Sequence, residues 1–140
     1  METILEQHRY ISAAFHAVKY VQSKMDIGAS NKLPQSYWGW PARIMCVSES
    51  REQILKDLKQ QGPALRHSGG DQKKAMMETW AYWATTYGCG NCGEQSAMAF
   101  VHLRDIWKVH PIDWMQVGNF SHAFAVLGRI GATNPANILT

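Results

Sequence analysis

Gly88-Cys89-Gly90-Asn91-Cys92-Gly93-Glu94, running straight into Gln95-Ser96-Ala97-Met98-Ala99-Phe100, constrains this chain more than any other stretch. Three glycines within six residues permit tight backbone paths and leave room for another segment to approach closely. A helix-forming apolar run starts directly after them. A cysteine where such a loop becomes a helix lies beside the orphan N–H groups and the positive end of the helix, which favour a thiolate. Its own backbone N–H can also face an oxyanion forming on a bound carbonyl. Cys92 is therefore the candidate nucleophile. A thiol nucleophile needs a base near it in space. Thirty residues on, Phe120-Ser121-His122-Ala123-Phe124-Ala125-Val126-Leu127-Gly128-Arg129 sets a histidine at the head of an apolar, strand-like run. His122 is the candidate base.

Cys89-Gly90-Asn91-Cys92 has competing readings. Zinc needs two further ligands, and beyond His102 and His110 no second tight Cys or His pair exists. A thioredoxin-like redox pair needs a strand-then-helix context that is missing here. A single nucleophile with an accessory cysteine fits best, Cys89 being a packing residue or the partner of Cys92 in a reversible disulfide. Glu94 reads as an acid favoured by the start of its helix rather than as a catalytic group. Three cysteines argue against a full disulfide framework and for a reducing site of action.

At 140 residues, 46% hydrophobic and 18% charged, the chain is long and apolar enough for one folded domain with a core, and disorder is excluded. The net charge of +3 is spread without a Lys or Arg run, so no nucleic-acid stripe is present. No window approaches the ~20 apolar residues of a membrane span. Met1 to His8 lacks a basic region and an apolar core, so it is no cleaved signal peptide.

Apolar positions Ile4, Leu5, Ile11, Phe15, Val18 and Val21, widened by Tyr10, Ala14 and Ala17, predict an amphipathic helix over 3–24. Pro34 and Pro41 frame a loop around Tyr37-Trp38-Gly39-Trp40. Arg43 to Val47 reads as a short buried strand or an extended segment, with Cys46 an inert buried thiol. Ser50-Arg51-Glu52-Gln53 fits a capping box opening a short helix that Gly62-Pro63 stops. Asp71 caps a helix over 72–86, and the Cys92 helix runs to about Trp107. Gly118-Asn119 joins strands at 112–117 and 121–130 in a hairpin. Helices first and strands last predict α+β, helices packed on a small antiparallel sheet.

Together, the Gly-Asn-Cys-Gly-Glu turn opening a helix and the strand His-Ala-Phe-Ala-Val-Leu-Gly-Arg resemble the bacterial papain-fold toxin domains. These are the dermonecrotic-toxin-like and effector glutamine deamidases, relatives of transglutaminases and papain-like proteases. The resemblance spans roughly residues 80–130 of a single domain, 1–140. It implies a papain-like fold with Cys92 attacking a glutamine carboxamide of a target protein and His122 as base, without metal or organic cofactor. It also implies a secreted virulence effector acting in a target-cell cytoplasm, with a cognate inhibitor (immunity) protein. Such enzymes orient their histidine with an Asp or Asn from a following strand. No Asp follows His122; Asn134 and Asn137 are the downstream amides, and Asp113 is the acid on the neighbouring strand. The favoured reading is a domain cut short after the histidine strand, because a two-stranded sheet leaves an edge unpaired. Beside the Cys92 N–H, the second oxyanion donor would be Thr86, six residues upstream, with Tyr87, Asn91 or a turn N–H as alternatives. A cysteine protease or transglutaminase shares the acylation step, and an inactive papain-like binding module is the non-enzymatic alternative.

Overall fold

A computed structural model describes residues 3–30, 39–68, 71–118, 122–129 and 138–139. Among these residues four helices, α1 (Ile4–Lys24), α2 (Gly39–Ser68), α3 (Gln72–Tyr87) and α4 (Cys92–His102), precede three strands. The strands are β1 (Ile112–Val117), β2 (His122–Leu127) and β3 (Ile138–Leu139), in the sheet order β2-β1-β3. The architecture is α+β. A π turn, Leu103–Trp107, carries α4 on to the end expected of it.

Helix α1 starts where Thr3 Oγ1 accepts the Glu6 N–H (3.2 Å) and the Glu6 carboxylate accepts the Thr3 N–H (2.8 Å). Its packed face differs from the expected one. Ile4, Leu5, Ile11, Phe15 and Val18 are all more than half exposed, and burial falls instead to Ala13, Ala17 and Val21. Small side chains allow close approach: Ala13 and Ala17 pack directly on Leu103 and Val109. The Tyr10 hydroxyl fastens that contact by donating to the His110 carbonyl at 2.8 Å.

The second quarter of the chain corrects the sequence reading most. Residues 39–68 form one 30-residue helix in place of a loop end, a strand and a short helix. Pro41 falls in its first turn, where backbone N–H groups have no intrahelical partner to lose. Cys46, Val47, Ser50 and Ile54 are buried at helical spacing, so the apolar run at 43–47 is one face of a helix. Ser50 is therefore no cap; it is buried mid-helix, its hydroxyl without a partner among the described residues. The helix also passes through Pro63, and it packs along α3. There Asp57 accepts from Trp83 Nε1 (3.0 Å) and from Gln61 Nε2 (2.8 Å). Pro34, Tyr37 and Trp38 lie outside the described residues.

Asp71 caps α3 as expected, accepting from the N–H groups of Lys73 and Lys74. Gly88 ends that helix in the left-handed region at φ +71°, which strains any side chain. The core forms where Met77, Ala81 and Ala84 of α3 meet Ala97 and Met98 of α4, Val21 and Trp114. β1 and β2 pair antiparallel from Ile112↔Leu127 to Val117↔His122. The sheet does not stop at two strands: β3 pairs with β1 through Trp114↔Leu139 and Met115↔Ile138.

Candidate active site

The glycine turn is held from three sides. Behind it, the segment after α1 supplies backbone bonds: Gly90 N–H donates to Gly28 O (3.2 Å) and Ile27 N–H to Gly88 O (2.9 Å). From α2, Cys46 forms a disulfide with Cys89. Cys89 is thus neither a free packing thiol nor the partner of Cys92, and Cys46 is not an inert thiol. Helical phase explains the pairing, because Cys46 sits on the buried face of α2 that α2 turns to Tyr87 and Cys89. Cys92 remains a free, half-buried thiol.

The third hold is electrostatic. Glu94 is almost fully buried, its carboxylate accepting from Arg51 Nε at 2.6 Å and from the Asn91 N–H at 3.0 Å. Burying a carboxylate is costly unless it is paired and hydrogen-bonded, so this contact fixes α4 to α2. The hydrogen bond to Glu94 raises the Arg51 guanidinium above its ordinary value against the opposing effect of burial, and the charges of Glu94 and Cys92 raise it further. Arg51 therefore lies within electrostatic reach of the candidate nucleophile. Asn91 is engaged by Ser30, whose N–H donates to its Oδ1 at 2.9 Å.

Two glycines are required by contact. A Cβ on Gly90 would lie 2.5 Å from Glu94 Cβ, and one on Gly93 would lie 2.5 Å from Trp80 Cζ3. Trp80 meets Trp114 edge-on (6.3 Å), and Trp114 Nε1 donates to Ser96 Oγ (2.7 Å), which in turn donates to Gly93 O (3.0 Å). The first turn of α4 is thereby tied to β1.

Cys92 and His122 border one cleft of about 450 Å³ between α1, α4 and β2. Why both stand at the same end follows from element lengths. Leu127 packs against the cluster of Ala13, Ala17, Leu103 and Val109 at the far end. From Leu103 back to Cys92 is eleven residues of helix, about 16 Å if each rises as in an α-helix. From Leu127 back to His122 is five residues of strand, also about 16 Å. α1 runs the other way, with Val21 beside Ala97 and Met98, and Ala13 and Ala17 beside Leu103. Along β2, Ala123, Ala125 and Leu127 share the parity that faces the helices. His122 and Phe124 alternate to the other side, their rings stacked at 5.7 Å, although both residues are also among those lining the cleft.

The other candidates are placed elsewhere. Thr86 donates its hydroxyl to Tyr82 O (2.9 Å) and lines a separate groove with Glu78 and Arg104, so it is not brought to Cys92. Asp113 is bound to Arg129 (2.8 Å), and its strand partner is Val126, four residues along β2 from His122. Asn134 and Asn137 lie outside the described residues. Among the described residues, no group of three or more His, Cys, Asp or Glu side chains is placed to hold a metal ion, and no helix is long and apolar enough to cross a membrane. Arg51, Gln22, Gln95 and Val18 are site residues that sequence reasoning missed. Arg51 was hidden by its place in an apparent capping box, and Val18 by its place in a stripe that looked like core.

Compared with known proteins, the chain matches no family model, no curated protein and no solved structure.

Proposed function

We propose that this chain is a papain-like cysteine hydrolase acting on side-chain amides of proteins, a glutamine deamidase of the secreted effector type. The observation that carries the reading is that Cys92, first residue of α4, and His122, first residue of β2, both line one cleft. The proton transfer needs the exposed His122 ring, at the start of its strand, to swing from the outer face of the sheet toward Cys92. Cys92 Sγ attacks the carboxamide carbon, and its proton passes to the His122 imidazole. The Cys92 N–H, at the start of α4, stabilises the oxyanion. His122 then gives the proton to the departing ammonia, leaving a thioester. Water, deprotonated by the same imidazole, hydrolyses the thioester to glutamate and frees the thiol.

The rigid hold on the turn supports this chemistry, since a nucleophile must be kept in register with its base. The Cys46–Cys89 disulfide supports passage through oxidising surroundings, where such bonds form, before action in a target cell. A cognate inhibitor protein would cover the cleft mouth in the producing cell. The test is mass spectrometry of a cell lysate treated with the intact protein or with its Cys92→Ser variant. Glutamine-to-glutamate conversion seen only with the intact protein is the expected result. New N-termini would instead mark a protease, and glutamine–lysine cross-links a transglutaminase. Identical spectra from the two proteins would contradict the enzymatic reading and favour a binding module.

A further inference from the structure

The cleft is not uniform along its length. At the Cys92 end its walls carry the polar Gln22, Gln95, Ser96 and His122 beside the apolar Val21, Ala123 and Phe124. Toward Leu103 they carry Ala14, Val18, Ala99, Ala125 and Leu127, with no charged group among them. Three of these are alanines, one on each wall, and their small size is what leaves the space open. A volume of about 450 Å³ lies within the range of small-molecule pockets, and it exceeds what one carboxamide needs.

We propose that this far half is a specificity subsite: it takes an aliphatic side chain adjacent to the glutamine that Cys92 attacks. The inference rests on the hydrolase reading for the identity of the reacting group. The occupant follows from continuity, because whatever fills the apolar half must be joined to whatever reacts at the polar end. Substrates are then proteins whose target glutamine neighbours Leu, Ile, Val or Met. Each buried methylene contributes ~0.8 kcal/mol, about fourfold in binding, so even a partly buried aliphatic group should give tenfold or more.

The experiment alkylates Cys92 of the full chain with iodoacetamide and with N-hexyl iodoacetamide, each rate normalised to that on glutathione. The expected result is a saturable preference of about tenfold or more for the hexyl reagent. Ala99→Phe, filling the cleft from α4, should abolish the preference, so that the two reagents react at the same normalised rate on that variant. Ala125→Leu does the same from β2 and serves if the first variant does not fold. In a second arm, acetyl-Leu-Gln-Gly should protect Cys92 from iodoacetamide better than acetyl-Gly-Gln-Gly. Equal normalised rates for the two reagents would overturn the proposal, as would a preference that survives both fillings. Protection by decanoate but not by the leucine peptide would overturn it too, assigning the space to a lipid chain. A hexyl preference on a thiol that meets iodoacetamide no faster than glutathione does would keep the subsite and remove support for the activated nucleophile.

Discussion

Cys46 of α2 is bonded to Cys89, three residues ahead of Cys92 and within the turn that presents it. The bond joins positions 43 residues apart, and a closure of that length stabilises by about 4 kcal/mol in the chain-entropy account. Cys46→Ser is expected to lower the urea midpoint without reductant, and reductant should bring the wild type down to the level of the variant. Equal midpoints for the two proteins without reductant would show that the bond contributes nothing.

Glu94 depends on Arg51 in the same way that the turn depends on Cys46. Removing one partner of a fully buried pair costs about 3–5 kcal/mol, but Arg51 is nearly half exposed, so about 2 kcal/mol is expected for Arg51→Ala. Denaturant unfolding measures this. Arg51→Lys should recover only part of it, because an ammonium does not reproduce the guanidinium fork.

Gly93 sets local propensity against packing. On propensity alone, Gly93→Ala would stabilise a helix by about 1 kcal/mol. The new methyl would meet the Trp80 ring at 2.5 Å, and overpacking of that kind costs about 1–3 kcal/mol. Net destabilisation is expected, with the sign reversed in a Trp80→Leu background, as thermal unfolding of the four proteins would show.

These contacts mark how far the sequence could be read. The helices over 4–24 and 72–87, the Asp71 cap and the 112–127 hairpin were legible because local signals and tertiary packing agree there. Residues 39–68 were not, because Pro41, the apolar run at 43–47, Ser50 and Pro63 each mimic a boundary. The burial of Cys46, Val47, Ser50 and Ile54 on one face overrides the first three, and Pro63 lies within a helix that packs along α3. The buried side of α1 was misread for a related reason. Alanines make the contact and large apolar residues stay outside, which hydrophobicity alone cannot show. At the site, the turn and His122 carried a signal in their residue types, whereas Arg51 and the Cys46–Cys89 pairing arise only from how α2 lies on α4 and the turn.

His102 gives the fold an acid sensitivity. Burial lowers its pKa, the charge of His16 lowers it further, and its ring stacks on Tyr20 at 4.1 Å. The folded state thus favours the neutral imidazole. The resulting stability is complete above the ordinary histidine value of ~6.5 and is lost as pH falls through the lower folded-state value. Urea midpoints at about pH 7.5 and about pH 5 should therefore differ less in His102→Gln than in the wild type. An identical difference in both proteins would remove His102 as the cause.

The most direct measurement is of the space between position 92 and position 122. In a His122→Cys variant with the Cys46–Cys89 bond intact, two free thiols would remain, and dibromobimane fluoresces strongly only once it has bridged a close pair. The account predicts bridging of Cys92 to the introduced thiol, confirmed by peptide mapping and abolished by Cys92→Ser. Efficient single labelling of both thiols without a bridge would place the two side chains in separate regions and contradict the account.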